Sequence, residues 1–154
     1  MADYVASARD ILRETLDRLG FGELEIQEEN AFGQPALQVT GKGAEALVGP
    51  EGDRLDDLQY LVNRLLSERL PDSPKIRVDA ARHRTQQDEA LLAGVKEAVE
   101  QVRASGKPVQ LPPMNSYHRR IVHNALLKDK TILTWSPPEK QRMKQITLMP
   151  ARKK

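Results

Sequence analysis

The chain contains no cysteine. That absence removes disulfides, thiolate metal sites and cysteine nucleophiles together. Aromatic residues are scarce, with one tryptophan, three tyrosines and two phenylalanines among 154 residues, which argues against a broad stacking platform. No apolar run approaches the length of a membrane span, and no signal-peptide core follows Met1. The expectation is a cytoplasmic protein without membrane insertion. There is no Walker-type phosphate loop, internal repeat or low-complexity tract. His118 and His123 lie five apart and project to different faces of a helix, whereas helical zinc pairs use i, i+4 spacing. No metal or other cofactor is implied.

What is present is strong charge polarity. Residues 1–105 hold 13 Lys and Arg against 20 Asp and Glu, a net −7. Residues 106–154 hold 11 against 2, a net +9, and together they return the chain's +2. A polyanion is therefore attracted to the C-terminal third and repelled by the rest.

Within that third, Met114-Asn-Ser-Tyr-His-Arg-Arg-Ile-Val-His123 winds into a two-faced helix at about 100° per residue. Tyr117, Ile121, Val122, Ala125 and Leu126 form a core-facing stripe. Arg119, Arg120 and His123 share a separate arc, and Arg119 and His123 are helix-surface neighbours at i, i+4. A guanidinium fork beside an imidazole suits a phosphate, because both can donate hydrogen bonds to it. His118 falls nearer the apolar side. A nuclease using His123 as acid or base, with Arg119 steadying the phosphate, lacks a second acid–base group at a workable spacing. The chain is not expected to be an enzyme.

Taken in order, Val5, Ala8, Ile11, Leu12, Leu16 and Leu19 mark a helix from Asp3 to Leu19, stopped by Gly20 and Gly22. Glu23–Glu28 and Ala36–Thr40 alternate as two strands of a hairpin, with Asn30–Pro35 as the turn. A short apolar piece, Ala44–Val48, precedes Gly49-Pro50-Glu51-Gly52. A helix carrying Leu55, Leu58, Val62, Leu65 and Leu66 follows, with Asp53 expected as its cap. Lys75–Ala80 reads as a short strand. Arg82–Ser105 reads as a long helix, with Leu91, Leu92, Val95, Ala98, Val99 and Val102 as its stripe, placed to cover the preceding sheet. The proline-rich segment 108–113 is extended. After the Arg119/His123 helix, Ile132–Trp135 and Lys144–Leu148 read as a hairpin turned by Ser136–Lys140. Lys140, Arg142 and Lys144 would alternate along it and extend the basic surface. Trp135 could stack on a base if it is exposed beside the basic face, but a lone aromatic in a small domain is more often core, and it is expected there.

Two resemblances attach to these residues. Arg119-x3-His123 within P-M-N-x-Y-x-R-R-I-V-H resembles the signature of the R(3)H domain, in the version found in the bacterial Jag (SpoIIIJ-associated) family. The order helix, strand, strand, short helix, G-x-x-G, helix, strand resembles a type II KH domain. Together they imply an α+β chain with a type II KH domain (α-β-β-α-α-β) over 1–81 and a connecting helix over 82–107. A small α/β R(3)H domain over 108–150 and a basic tail over 151–154 would complete it. The extra N-terminal domain of many relatives is expected to be absent, because Met1 lies close to the first helix.

The resemblance further implies a cytoplasmic RNA-binding protein for single-stranded RNA, or single-stranded DNA, linked to cell elongation or division. Arg119, His123 and Arg120 would contact the sugar–phosphate backbone, and a small single-KH-domain protein would be a partner. A protein-interaction adaptor with ribosome association is the alternative. In a KH domain the Gly49–Gly52 loop would let backbone amides approach the strand. Here Pro50 has no N–H to donate, and Glu51 with Asp53, Asp56 and Asp57 places negative charge where a phosphate would lie.

Overall fold

The tight turn at Phe32-Gly33 sets the first half of the molecule. In the computed structural model, which describes residues 3–152, both residues adopt left-handed backbone, φ 54° and 78°. This is the geometry that joins antiparallel strands through two residues, and Asn30 supports it by accepting the Gly33 N–H at 2.9 Å. Strand β1 (Glu25–Ala31) therefore runs straight into β2 (Gln34–Thr40), paired from Glu25↔Thr40 to Ala31↔Gln34. The longer turn expected over 30–35 is corrected to these two residues.

Strand β3 (Arg77–Ala80) adds in parallel on the far side of β2, giving the order β1-β2-β3. Helices α1 (Tyr4–Arg18) and α2 (Asp53–Arg69) supply Ile11, Leu12, Leu16, Leu55, Val62 and Leu66 to a core with Leu37, Val39, Ile76 and Val78. Asp3 caps α1 by accepting from Ala6 N. Leu19, at the helix end, is exposed rather than part of the stripe. Two 3-10 turns, Ala44–Leu47 and Pro50–Gly52, lead into α2. Gly52, left-handed at φ 80°, holds the N-cap position, and Asp53 is the first helical residue, which corrects its expected role as cap.

The outer edge of β3 is closed by side chains. Asn63 accepts from Ile76 N at 2.8 Å and donates to Ile76 O at 2.7 Å. Gln59 accepts from Val78 N, and Arg84 Nε donates to Val78 O, each at 2.9 Å. Ala81 and Arg82, both left-handed, turn the chain into α3 (His83–Ser105). The buried Asp79 carboxylate stabilises that strained junction by accepting from Ala80 N, Arg84 N, Thr85 N and Thr85 Oγ1. The buried Gln38 amide completes the network, donating to Asp79 Oδ2 and accepting from Arg82 N.

The chain divides after Gln86 into two compact units. In the second, Val95, Ala98, Val99 and Val102 of α3 pack with Leu111, Met114, Val122, Ile132, Ile146 and Leu148. The long helix thus supplies core residues to the second unit. Strand β4 (Val109–Gln110), helix α4 (Ser116–Leu126), β5 (Ile132–Trp135) and β6 (Thr147–Pro150) complete this unit, with sheet order β4-β6-β5, both pairs antiparallel. The hairpin strand expected at Lys144–Leu148 is corrected to Thr147–Pro150. Lys144 instead exchanges backbone hydrogen bonds with Met114, and Ile146 O accepts from Leu111 N. Those pairings pull residues 144–146 toward the proline-rich segment and lengthen the loop after β5 to 136–146. Ala151, the first residue of the expected tail, donates its N–H to Thr131 O; Lys153 and Lys154 lie outside the described residues.

Candidate nucleic-acid interface

Asn115 starts α4 by accepting the His118 N–H at 2.9 Å. One turn in, the Arg119 side chain folds back on the backbone. Its Nη1 donates to Met114 O at 2.8 Å and, more weakly, to Arg142 O at 3.4 Å. One turn further, His123 Nδ1 lies 2.7 Å from Thr134 Oγ1 on β5. The structure brings Arg119 and His123 together on one side of α4, each tied to the β-rich part of the unit, while Arg120 is exposed. Ile121 and Val122 enter the core as expected, but Ala125 of the expected stripe is exposed.

The opposite flank of α4 faces α3. Tyr117 Oη donates to Asp88 Oδ2 at 3.3 Å, and His118 Nε2 lies 3.7 Å from Asp88 Oδ1. Asp88 is 1% exposed. It was legible in principle, because 88, 91, 95, 98 and 102 share one helical stripe and an acid there breaks the apolar pattern. Thr134 carried no such signal.

Of the loop cations, Lys140 and Arg142 are exposed on the 136–146 loop rather than alternating on a strand. Lys144 donates from Nζ to Pro137 O at 2.9 Å, so it braces the loop. Trp135 is 51% exposed, which corrects its expected place in the core. β5 sends Ile132 and Thr134 inward, so the next residue must face out.

In the first unit, Gly49 is left-handed at φ 73°, and a Cβ there would collide with the Asp53 and Arg54 side chains. Pro50 and Glu51 are exposed, Glu51 itself left-handed at φ 53°. Asp53 Oδ1 accepts from Arg54 N, and Asp56 pairs with Arg84 at 2.9 Å. The loop and the turn after it thus present Glu51 and Asp53 to solvent, as the sequence implied.

Residues 89–147 match the R(3)H domain. The chain is 29% identical over 133 residues to the "RNA-binding protein KhpB" of Clostridium symbiosum, covering 86% of this chain and 60% of that one. It is 32% identical over 105 residues to the "RNA-binding protein KhpB" of Bacillus subtilis (strain 168), covering 68% of this chain and 50% of that one. It therefore spans between half and three-fifths of those relatives.

Within the R(3)H match, α4 combines two different kinds of polar group. The Arg119 guanidinium is a permanent cation. Burial, and then the neighbouring Arg119 charge, hold the His123 imidazole below its usual pKa of 6.5, so at neutral pH it is uncharged. A neutral imidazole keeps one N–H. The Thr134 hydroxyl can donate to or accept from Nδ1; in the tautomer where it donates, the imidazole proton sits on Nε2, available to an anionic oxygen. The pair can bind one phosphate through a charge and a directed neutral donor. Among the described residues no cluster of three His, Asp or Glu could hold a metal, and no helix is long and apolar enough to cross a membrane.

Proposed function

We propose that this protein binds single-stranded RNA in the bacterial cytoplasm, gripping the sugar–phosphate backbone with Arg119 and His123, with Arg120 alongside. The observation that carries the reading is the pair itself: one turn apart on α4, Arg119 fixed by backbone carbonyls and His123 by Thr134. Rigid, pre-positioned donors lose little freedom on binding. Contacts of this kind give affinity with little sequence choice. RNA is preferred over DNA because both relatives are named as RNA-binding proteins. Lys140 and Arg142 extend the positive field, with Lys144 shaping the loop that carries them. The first unit is proposed as a type II KH domain on its element order and its Gly49–Gly52 loop.

A second reading concerns that first unit. Its loop is acidic, and Tyr60, Leu61 and Leu65 are exposed along α2, which favours pairing with a small single-KH protein over gripping RNA. Co-elution of an equimolar mixture as one species on gel filtration is expected; two separate species would remove this reading.

The test of the main reading is binding of mixed-sequence single-stranded RNA across a salt series, with matched DNA alongside. The double variant Arg119→Ala, His123→Ala should lose both affinity and salt slope, the slope counting about 0.7 per phosphate on a single strand. Equal binding by the double variant would move the site elsewhere. No binding by wild type at low salt would leave the protein-interaction role.

A further inference from the structure

We propose that Trp135 and the pocket beside it form a nucleobase-binding site that stacks one unpaired base of the strand whose backbone lies on Arg119 and His123. The inference rests on the functional reading above and adds a contact to the bases. Strand alternation places Leu133 and Trp135 on the outer face of the second sheet, with cross-strand partners Met149 and Thr147. Leu133 and Trp135 are each about half exposed, so two large apolar side chains sit side by side on that outer face.

At the end of β5 the indole lines a pocket of about 280 Å³, small enough to suit a single planar ring. Met143 is a second apolar wall, and Gln110, Gln141 and Gln145 contribute amides; none of the lining residues is acidic. Amides both donate and accept, which matches the polar edges of any base. An apolar side chain from a protein partner would desolvate those three amides without pairing them. The unit's positive charge likewise favours a nucleic acid as occupant.

The pocket and the phosphate site draw on neighbouring residues of the same segments. Thr134, which holds His123, directly precedes Trp135. Arg142, whose carbonyl holds Arg119, lies between Gln141 and Met143 of the pocket wall. Alternation puts Thr134 and Trp135 on opposite faces of the sheet, so a strand seated on the two α4 side chains reaches the indole past the 141–143 segment rather than across β5. Stacking is tolerant of base identity because every base has a π-face, so the site adds affinity and distinguishes unpaired from paired nucleic acid.

Trp135 is the chain's only tryptophan, so emission excited beyond the tyrosine absorption band reports on this site alone. Full-length protein is titrated with a short single-stranded oligoribonucleotide and with its abasic counterpart of equal length. The intact strand should quench the emission and bind about tenfold more tightly than the abasic one. Trp135→Ala should abolish that difference while binding the abasic strand like wild type, and Trp135→Phe should keep part of it. Far-UV circular dichroism checks the fold of each variant, and the wild-type quench is read without any substitution. Intact RNA that binds without changing the emission, or that binds Trp135→Ala as tightly as wild type, overturns the stacking site and leaves the backbone grip standing. Failure of wild type to bind either strand at low salt overturns both.

Discussion

Replacing Arg119 by lysine keeps the charge and removes the fork. Both contacts that Arg119 makes to the protein, to Met114 O and Arg142 O, are made by Nη1. The remaining N–H groups of the planar guanidinium are therefore open to a ligand while the side chain stays anchored. Lysine has one short-range point charge and must choose between the carbonyls and the phosphate. A hydrogen bond from a charged donor contributes about 1.5–3 kcal/mol when fully shielded from water. Here one bond is half-buried and the other long, so about 1 kcal/mol of stability is expected to be lost in Arg119→Ala. In RNA binding, Arg119→Lys should cost about 1 kcal/mol, roughly fivefold, from lost bidentate geometry, with the salt slope unchanged. Arg119→Ala should weaken binding further and reduce the slope by about 0.7, the value of one phosphate. Filter binding across a salt series, with thermal unfolding of each variant, separates these outcomes. An Arg119→Lys protein indistinguishable from wild type would show that the fork is not used. A slope unchanged in Arg119→Ala would make Arg119 a backbone anchor only.

The other predictions address charge and packing. Because the His123 pKa lies below 6.5 in the folded chain, the unfolded chain takes up more protons as pH falls through 6.5, and stability should fall on acidification below that point. His123→Gln should remove that share of the pH dependence, and in an NMR titration Arg119→Ala should move the His123 pKa up toward 6.5. Bound phosphate favours the imidazolium, so RNA affinity should rise as pH drops through the same window. Asp79→Ala strips the buried acceptor from Ala80, Arg84 and Thr85 and should cost about 3 kcal/mol in urea unfolding, with Asp79→Asn milder. Glu51→Lys should change RNA affinity by less than about threefold, because an exposed charge that touches no phosphate acts only through the screened field; a gain above about tenfold would place RNA on the Gly49–Gly52 loop.

The helices and the first hairpin were legible because their apolar periods and glycine stops are local. The G-x-x-G loop was legible for the same reason. The register of the second hairpin was not. Lys144–Leu148 alternates as well as Thr147–Pro150 does, and what decides between them is the pairing of Lys144 with Met114, thirty residues earlier. Trp135 was misplaced because scarcity of aromatics favours a core assignment, and only the strand's phase turns it outward. Arg119 and His123 were legible as a pair, but their state was not. The imidazole's neutrality and the carbonyl anchors of the guanidinium depend on Thr134, Met114 and Arg142, which no spacing rule ties to them.

The side-chain closure of β3 also bears on self-association. A sheet grows by recruiting another strand onto unsatisfied edge amides and carbonyls. At β3 those of Ile76 and Val78 are already taken by Asn63, Gln59 and Arg84. The opposite edge, β1, carries Glu25, Glu28 and Glu29, with Glu28 paired to Arg9 at 2.6 Å and Glu29 to Arg82 at 3.4 Å. One edge is closed by filled valences, and at the other a second copy would have to displace ion pairs, so neither edge is a bare template for strand addition.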